Sequence, residues 1–133
     1  MSTSLLLRLT YAVCLLGGAA THVAVLVSHG LSWDYGGVPM LTRVFWASLA
    51  FLDPLAALLL LVRPRIGLSL TLAIITSDVV HNTWVEWWMG LPLRMFMNWM
   101  YVSQLLFLFF VVATIGIAWR GTTSAQLERS HAV

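Results

Sequence analysis

The chain has 133 residues, 60% of them hydrophobic and only 9% charged, with a mean hydropathy of +0.90. That is too apolar for a water-soluble domain and long enough for one small membrane domain. Net charge is +2 and all seven basic residues are Arg, placed at the ends of apolar runs, a pattern that excludes nucleic acid as a partner.

Four apolar runs, at about 5–28, 44–62, 66–89 and 99–119, each approach or exceed the ~20 residues that cross a ~30 Å hydrocarbon core. Alternation of period two is absent, which argues against a β-barrel. The predicted fold is an all-α integral membrane protein. Residues 1–120 form a four-transmembrane-helix bundle, and 121–133 form a polar, flexible tail.

The first run contains Gly17-Gly18-Ala19-Ala20, which resembles a signal-cleavage region. Apolar sequence resumes beyond it, so the small residues read better as a surface for close helix packing, and they allow a homodimer. Cys14 lies mid-helix, has no intrachain disulfide partner and is expected to be a buried structural thiol. The loop from His29 to Arg43 holds Gly36-Gly37 and Pro39, which favour turns. In the second run Pro54 follows Asp53 and predicts a kink at the acid. Arg63-Pro64-Arg65 makes a tight turn into the third run, and Gly90-Leu91-Pro92 opens the last loop. Arg8, Arg63, Arg65, Arg120 and Arg129 fall at one end of this bundle and only Arg43 and Arg94 at the other. The positive-inside rule then puts both termini in the cytoplasm. Trp33, Trp84, Trp87, Trp88 and Trp99 mark the outer boundary, in a bacterial cytoplasmic membrane or the endoplasmic reticulum equally.

The third run is unusual. Asp78, His81, Asn82 and Glu86 stand inside it, where ionisable side chains cost roughly 2.5–3.5 kcal/mol on insertion scales. Asp78, Asn82 and Glu86 form an i, i+4, i+8 stripe, with His81 beside it. The other helices carry polar groups at the same depth. His22 and His29 share a face of the first, Asp53 is central in the second, and Asn98, Tyr101 and Gln104 open the fourth. The cytoplasmic half is nearly pure Leu, Val, Ile and Ala. A polar pocket in the outer half of the bundle is the simplest solution. Plainer roles remain open for each residue. Asp53 can accept a backbone hydrogen bond at the kink, Asp78 can pair with His81 or His22, and Asn98 can cap its helix. Gln104 can join helices, and Glu86 and His29 can simply meet water at the interface.

Three segments resemble the EXPERA family, which includes emopamil-binding protein, a sterol Δ8–Δ7 isomerase, and the sigma-2 receptor. Phe96-Met97-Asn98-Trp99-Met100-Tyr101 is similar to the Phe-Met-Asn-x-x-Trp that opens the isomerase's last helix. Ser77-Asp78-Val79-Val80 with Glu86 resembles its Gly-Asp-Val stretch. Pro54-Leu55 followed by Arg63-Pro64 resembles its Pro-Leu and Arg-x-x-Pro. His22 falls at the family's His-x-x-x-Glu pair, but Leu26 replaces that Glu. Phe45 stands nearest a second family Glu, Tyr101 replaces the closing Trp, and Asp53 is an acid near the family's Gly-Pro.

The resemblance implies a membrane-open pocket that binds a sterol-like or isoprenoid lipid. It also implies isomerisation by protonating a double bond and removing a proton elsewhere. Asp53 or Asp78 would then donate and His22 or His81 accept, with Tyr101 and Trp84 flanking the cation. Asn82, Glu86, Asn98 and Gln104 would complete the pocket. No cofactor is expected. The alternatives are a non-enzymatic receptor for cationic amphiphiles, a metal or haem site on His22, His29 and His81, and a small proton-coupled transporter. Against the metal site, no H-x-x-x-H pair is present.

Overall fold

A computed structural model describes the backbone of residues 1–89 and 95–131, and the side chains of 1–89 and 96–122. Helix α1 runs Thr3–His29, α2 Met40–Val62, α3 Pro64–Trp88 and α4 Trp99–His131, with one 3-10 turn at Met95–Met97. The expected turn at Gly90-Leu91-Pro92, and Arg94 with it, lies outside the described residues.

Local chemistry sets the helix ends. Ser2 accepts a hydrogen bond from the Leu5 N–H at 3.3 Å and caps α1. Gly30 ends α1 at φ 78°, and its N–H closes on the Leu26 carbonyl. Pro39 precedes α2 and Pro64 opens α3, positions where no intrahelical donor is needed. Helix α2 therefore begins at Met40, ahead of the expected 44. It runs unbroken through Pro54. The expected tail from 121 is a continuation of α4, which stays helical to His131. Falling hydropathy marks where an apolar environment ends, whereas Thr, Ser, Gln and Glu still permit helical backbone.

Each helix packs on the next, α4 closes on α1, and α1 meets α3 only lightly across the diagonal. The start of α1, the end of α4 and Arg63 lie at one end of this antiparallel ring, called the terminal half. The loop between α1 and α2 lies at the other, the loop half. The terminal half holds an apolar core. Tyr11, Leu60, Leu68, Val111 and Ala118 are fully buried there. The Tyr11 hydroxyl meets Thr114 Oγ1 at 2.6 Å, and Thr114 donates onward to the Phe110 carbonyl, so Tyr11 is the donor to Thr114. Ser4 Oγ donates to the Ala118 carbonyl at 2.7 Å, and Gly121 packs directly on Ser4. Gly67 lies against the backbone of Leu59 and Leu60 with no room for a Cβ.

Polarity is inverted relative to a water-soluble bundle. Val13, Phe51, Leu58, Val80, Phe109 and Val112 are exposed, while Asp53, Thr71 and Asp78 are buried. Helices α1, α2 and the Trp99–Thr122 part of α4 are long and apolar enough to cross a membrane. Helix α3 is not among them, because Asp78, His81, Asn82 and Glu86 lower its hydropathy. The chain is a multi-pass membrane protein on this composition.

The Gly67 contact yields a testable contrast. Gly67→Ala forces the α2–α3 hairpin apart and is expected to cost about 1–3 kcal/mol, the usual penalty for overpacking. Gly116→Ala meets nothing within 4 Å and should stabilise by about 0.5–1 kcal/mol. Thermal unfolding of both variants in detergent checks the pair.

Candidate functional site

The loop half encloses two adjoining cavities. The deeper, of about 350 Å³, lies among Gly18, His22, Asp53, Asp78, Ser103 and Gln104, with Ile74, Ile75 and Phe107 as apolar walls. The shallower, of about 300 Å³, lies under Trp33 and Tyr35 and is lined by Trp46, Asn82, Glu86, Asn98 and Tyr101. They share Thr21, His22, Met100 and Gln104. The deeper one opens sideways between α1 and α4, where Cys14, Gly17 and Trp99 are exposed at its rim. Cys14 is thus an exposed thiol rather than the expected buried one. With only hydrogen at Gly17 and Gly18, α1 leaves this gap unfilled.

Asn82 organises the polar groups. Its Nδ2 donates to Asp78 Oδ1 at 3.0 Å and to Gln104 Oε1 at 2.8 Å, and its Oδ1 accepts from Trp46 Nε1 at 2.8 Å. The amide therefore joins α2, α3 and α4, and Gln104 is interhelical glue as well as cavity wall. Asp53 is 5% exposed, yet its Oδ1 has no hydrogen-bond partner among the described residues. Its Oδ2 sits so close to Gly18 that a Cβ there would come within 3.1 Å. The expected backbone bond to the Asp53 carboxylate is not made at Oδ1. His22 lines both cavities and bonds to no described side chain. Asp78 pairs with Asn82, in place of the expected His81 or His22.

Not all expected residues converge. His81 meets Thr42 Oγ1 at 3.1 Å and packs on Phe45, Trp46 and Trp84, lining neither cavity. Trp84 is half exposed and stacks on Trp88. The helical period explains both. At about 100° per residue, Asn82 and Glu86 stay within about 80° of Asp78, whereas His81 and Trp84 swing about 60° and 120° the other way. Tyr101 is buried at the shallow cavity and donates to Thr83 Oγ1 at 2.8 Å, because Thr83 spends its proton on the Val79 carbonyl. Asn98 both lines the cavity and caps α4, accepting from the Met100 N–H at 3.0 Å. Glu86 lines the shallow cavity and is partly exposed.

Sequence reasoning left Trp46 and Tyr35 out of the site and took Trp33 only as a boundary marker. Trp46 stands seven residues before Asp53, two turns along one face, the same spacing that relates His22 to His29. Trp33 and Tyr35 come from loop chemistry. Asp34 takes the N–H groups of Gly36, Gly37 and Val38, and Tyr35, Gly36 and Gly37 all adopt positive φ. This turn aims Tyr35 at Trp33 and Trp46, with ring centroids 4.3 and 4.9 Å apart, and His29 stacks on Trp33 at 3.9 Å. The result is an aromatic roof. Among the described residues no three His, Cys, Asp or Glu are placed to hold a metal ion.

Compared with known proteins, the chain matches no family model, no curated protein and no solved structure.

Asn82→Leu should strand Asp78, Gln104 and Trp46 at once. A stability loss of about 1–3 kcal/mol for each group left buried without a partner is the expected scale. Asn98→Ala, which removes only a cap, should cost about 1 kcal/mol. Unfolding midpoints measured side by side test that ranking.

Proposed function

We propose that the protein spans the membrane four times and binds a sterol-like or isoprenoid lipid in its loop-half pocket, with both termini cytoplasmic and that pocket in the outer half. Proton transfer then shifts a double bond of the bound lipid. The observation that carries this reading is Asp53. It is a buried carboxyl with one oxygen unpartnered among the described residues, in a cavity that also holds Asp78 and His22 and has apolar walls of Ile74, Ile75 and Phe107.

Helix α3 turns its polar groups inward. Thr71 and Asp78 are buried in the ring, while its exposed positions include Ile66 and Val80. A helix too polar to cross alone crosses inside a bundle that receives its polar stripe. Orientation rests on the arginine asymmetry. Each cavity lies in the range of about 300–1,000 Å³ usual for small-molecule sites. Their lateral mouth between α1 and α4 suits a ligand that arrives from the bilayer. The EXPERA-like segments point the same way.

The chemistry proposed is redox-neutral. Asp53 in its acid form gives a proton to one carbon of a double bond, and the π pair becomes the new C–H bond. The neighbouring carbon becomes cationic and lies among aromatic faces such as Tyr101. His22 removes a proton from an adjacent carbon, and that C–H pair forms the new double bond. Proton return from His22 to Asp53 resets the site. His81 and Trp84 drop out of this scheme because they line neither cavity.

A second reading is favoured by the same carboxyl. The site acts as a receptor for a lipophilic amine, with Asp53 as counter-ion. Leu26, in place of the family's Glu, removes one acid from the catalytic pattern.

An unsaturated polycyclic isoprenoid incubated in D₂O separates the two. Under the catalytic reading the isomerised product carries deuterium, and Asp53→Asn slows it by about 10²–10⁴-fold, the usual worth of a positioned acid. Undiminished turnover in Asp53→Asn would remove that residue from the mechanism. In a parallel titration, saturable binding of a lipophilic amine that Asp53→Asn abolishes, with no double-bond shift in the wild type, selects the receptor.

A further inference from the structure

The two cavities meet at a wall shared by Thr21, His22, Met100 and Gln104. The polarity of that wall is set two helices away. An indole N–H only donates, so the Asn82 atom 2.8 Å from Trp46 Nε1 has to be the oxygen. The other end of that amide is the NH₂ group, and its hydrogens go to Asp78 Oδ1 at 3.0 Å and to Gln104 at 2.8 Å. The Gln104 atom that receives a hydrogen from Asn82 has to be Oε1. Trp46 on α2 thus orients a second amide on α4, and Gln104 keeps Nε2 and both its hydrogens for another use.

Among the described residues Nε2 has no partner. Its neighbours in the pocket are spent. Thr21 gives its proton to the Gly18 carbonyl, and the Met100 side chain has none to give. Ser103, beside Gln104 in the deeper cavity, donates to the Met100 carbonyl at 2.7 Å. His22 is the other open group of the shared wall, and it accepts a proton in the transfer proposed above. Joining α3 to α4 uses Gln104 Oε1 alone, so interhelical glue does not account for the second end of the amide. An N–H taken out of water without an acceptor is costly. A ligand that displaces water from the cavities therefore has to supply an acceptor at this wall.

We infer that Gln104 Nε2 donates a hydrogen bond to an oxygen of the bound lipid, so that the pocket selects an alcohol or ketone over a hydrocarbon of the same shape. The oxygen sits where the two cavities join. The hydrocarbon body then extends along Ile74, Ile75 and Phe107 toward Asp53. This contact rests on the lipid-binding reading and is indifferent to whether proton transfer follows.

The test uses cholestanone and cholestane, a saturated pair that differs by one carbonyl and cannot undergo a double-bond shift. Each is titrated against the detergent-solubilised full chain, and adducts are read by native mass spectrometry. Wild type, Gln104→Met and Ser103→Ala are compared, because each compound partitions into detergent equally for all three. The preference for ketone over hydrocarbon should fall about 3–10-fold in Gln104→Met, the worth of one neutral hydrogen bond. Cholestane itself should bind that variant as it binds the wild type, which also establishes that the pocket is folded. Ser103→Ala should keep the wild-type preference, since that hydroxyl is already committed. Gln104→Met also takes an acceptor from Asn82, so infrared spectroscopy of the wild type with isotope-labelled cholestanone provides a second measure. The carbonyl stretch should move to lower frequency on binding, and a bound ketone that keeps its frequency in apolar solvent overturns the inference. A preference that falls as far in Ser103→Ala as in Gln104→Met does the same. Binding of both compounds with one preference in all three proteins removes the oxygen contact and leaves the lipid pocket standing, whereas binding of neither removes both.

Discussion

A carboxamide inside an apolar bundle has to place two donors and an acceptor, and each group left over costs about 1–3 kcal/mol. Asn82 places all of them across three helices, taking Trp46 of α2 and giving to Asp78 of its own helix and Gln104 of α4. That fixes the relative register of α2, α3 and α4 at the level of the cavities. Helix α1 takes no part. It is tied instead in the terminal half, by Tyr11 to Thr114, Ser4 to Ala118 and Arg8 to Leu60. The loop half of α1 is therefore the wall with the fewest polar ties, and the lateral mouth lies along it. A bundle locked at one end and unlocked along one seam at the other can admit a bulky ligand without losing its core.

The sequence reveals depth better than direction. Counting residues from the ends of apolar runs put His22, Asp53, Asp78, Asn98, Tyr101 and Gln104 at one level, and all of them line a cavity. The same count included His81, which shares that level but points elsewhere, as does Trp84, which the family resemblance implied for the site. Rotation about the helix axis separates the two groups, and a stripe drawn too wide merges them. Trp46 was hidden for a different reason. A tryptophan near a helix end reads as an interface anchor, and only the partner on α3 reveals its N–H as part of a network. The aromatic roof depends on three consecutive positive φ values around Asp34, which a Gly-Gly pair hints at but does not aim. The end of α4 was misplaced because lipid solubility and helicity are different properties of the same residues.

Asp53 and Asp78 look equivalent in sequence, each an acid in mid-helix, but their surroundings make them different. Asp78 accepts from Asn82 and belongs to the network that registers three helices. Asp53 has Gly18 against one oxygen and no hydrogen-bond partner on the other among the described residues. Thr21, the hydroxyl on the adjoining cavity wall, is turned back onto its own helix by a 2.7 Å bond to the Gly18 carbonyl. Trp46, one face above, is committed to Asn82. Each of these donors has a partner of its own, and Asp53 Oδ1 is left, with Arg43 Nε, as a buried polar atom without one among the described residues. Packing alone does not account for an acid here, since Leu in that position would fill the same space without the desolvation cost. Asp78 is thus tied into the network that registers three helices and Asp53 is not, even though both open onto the same cavity.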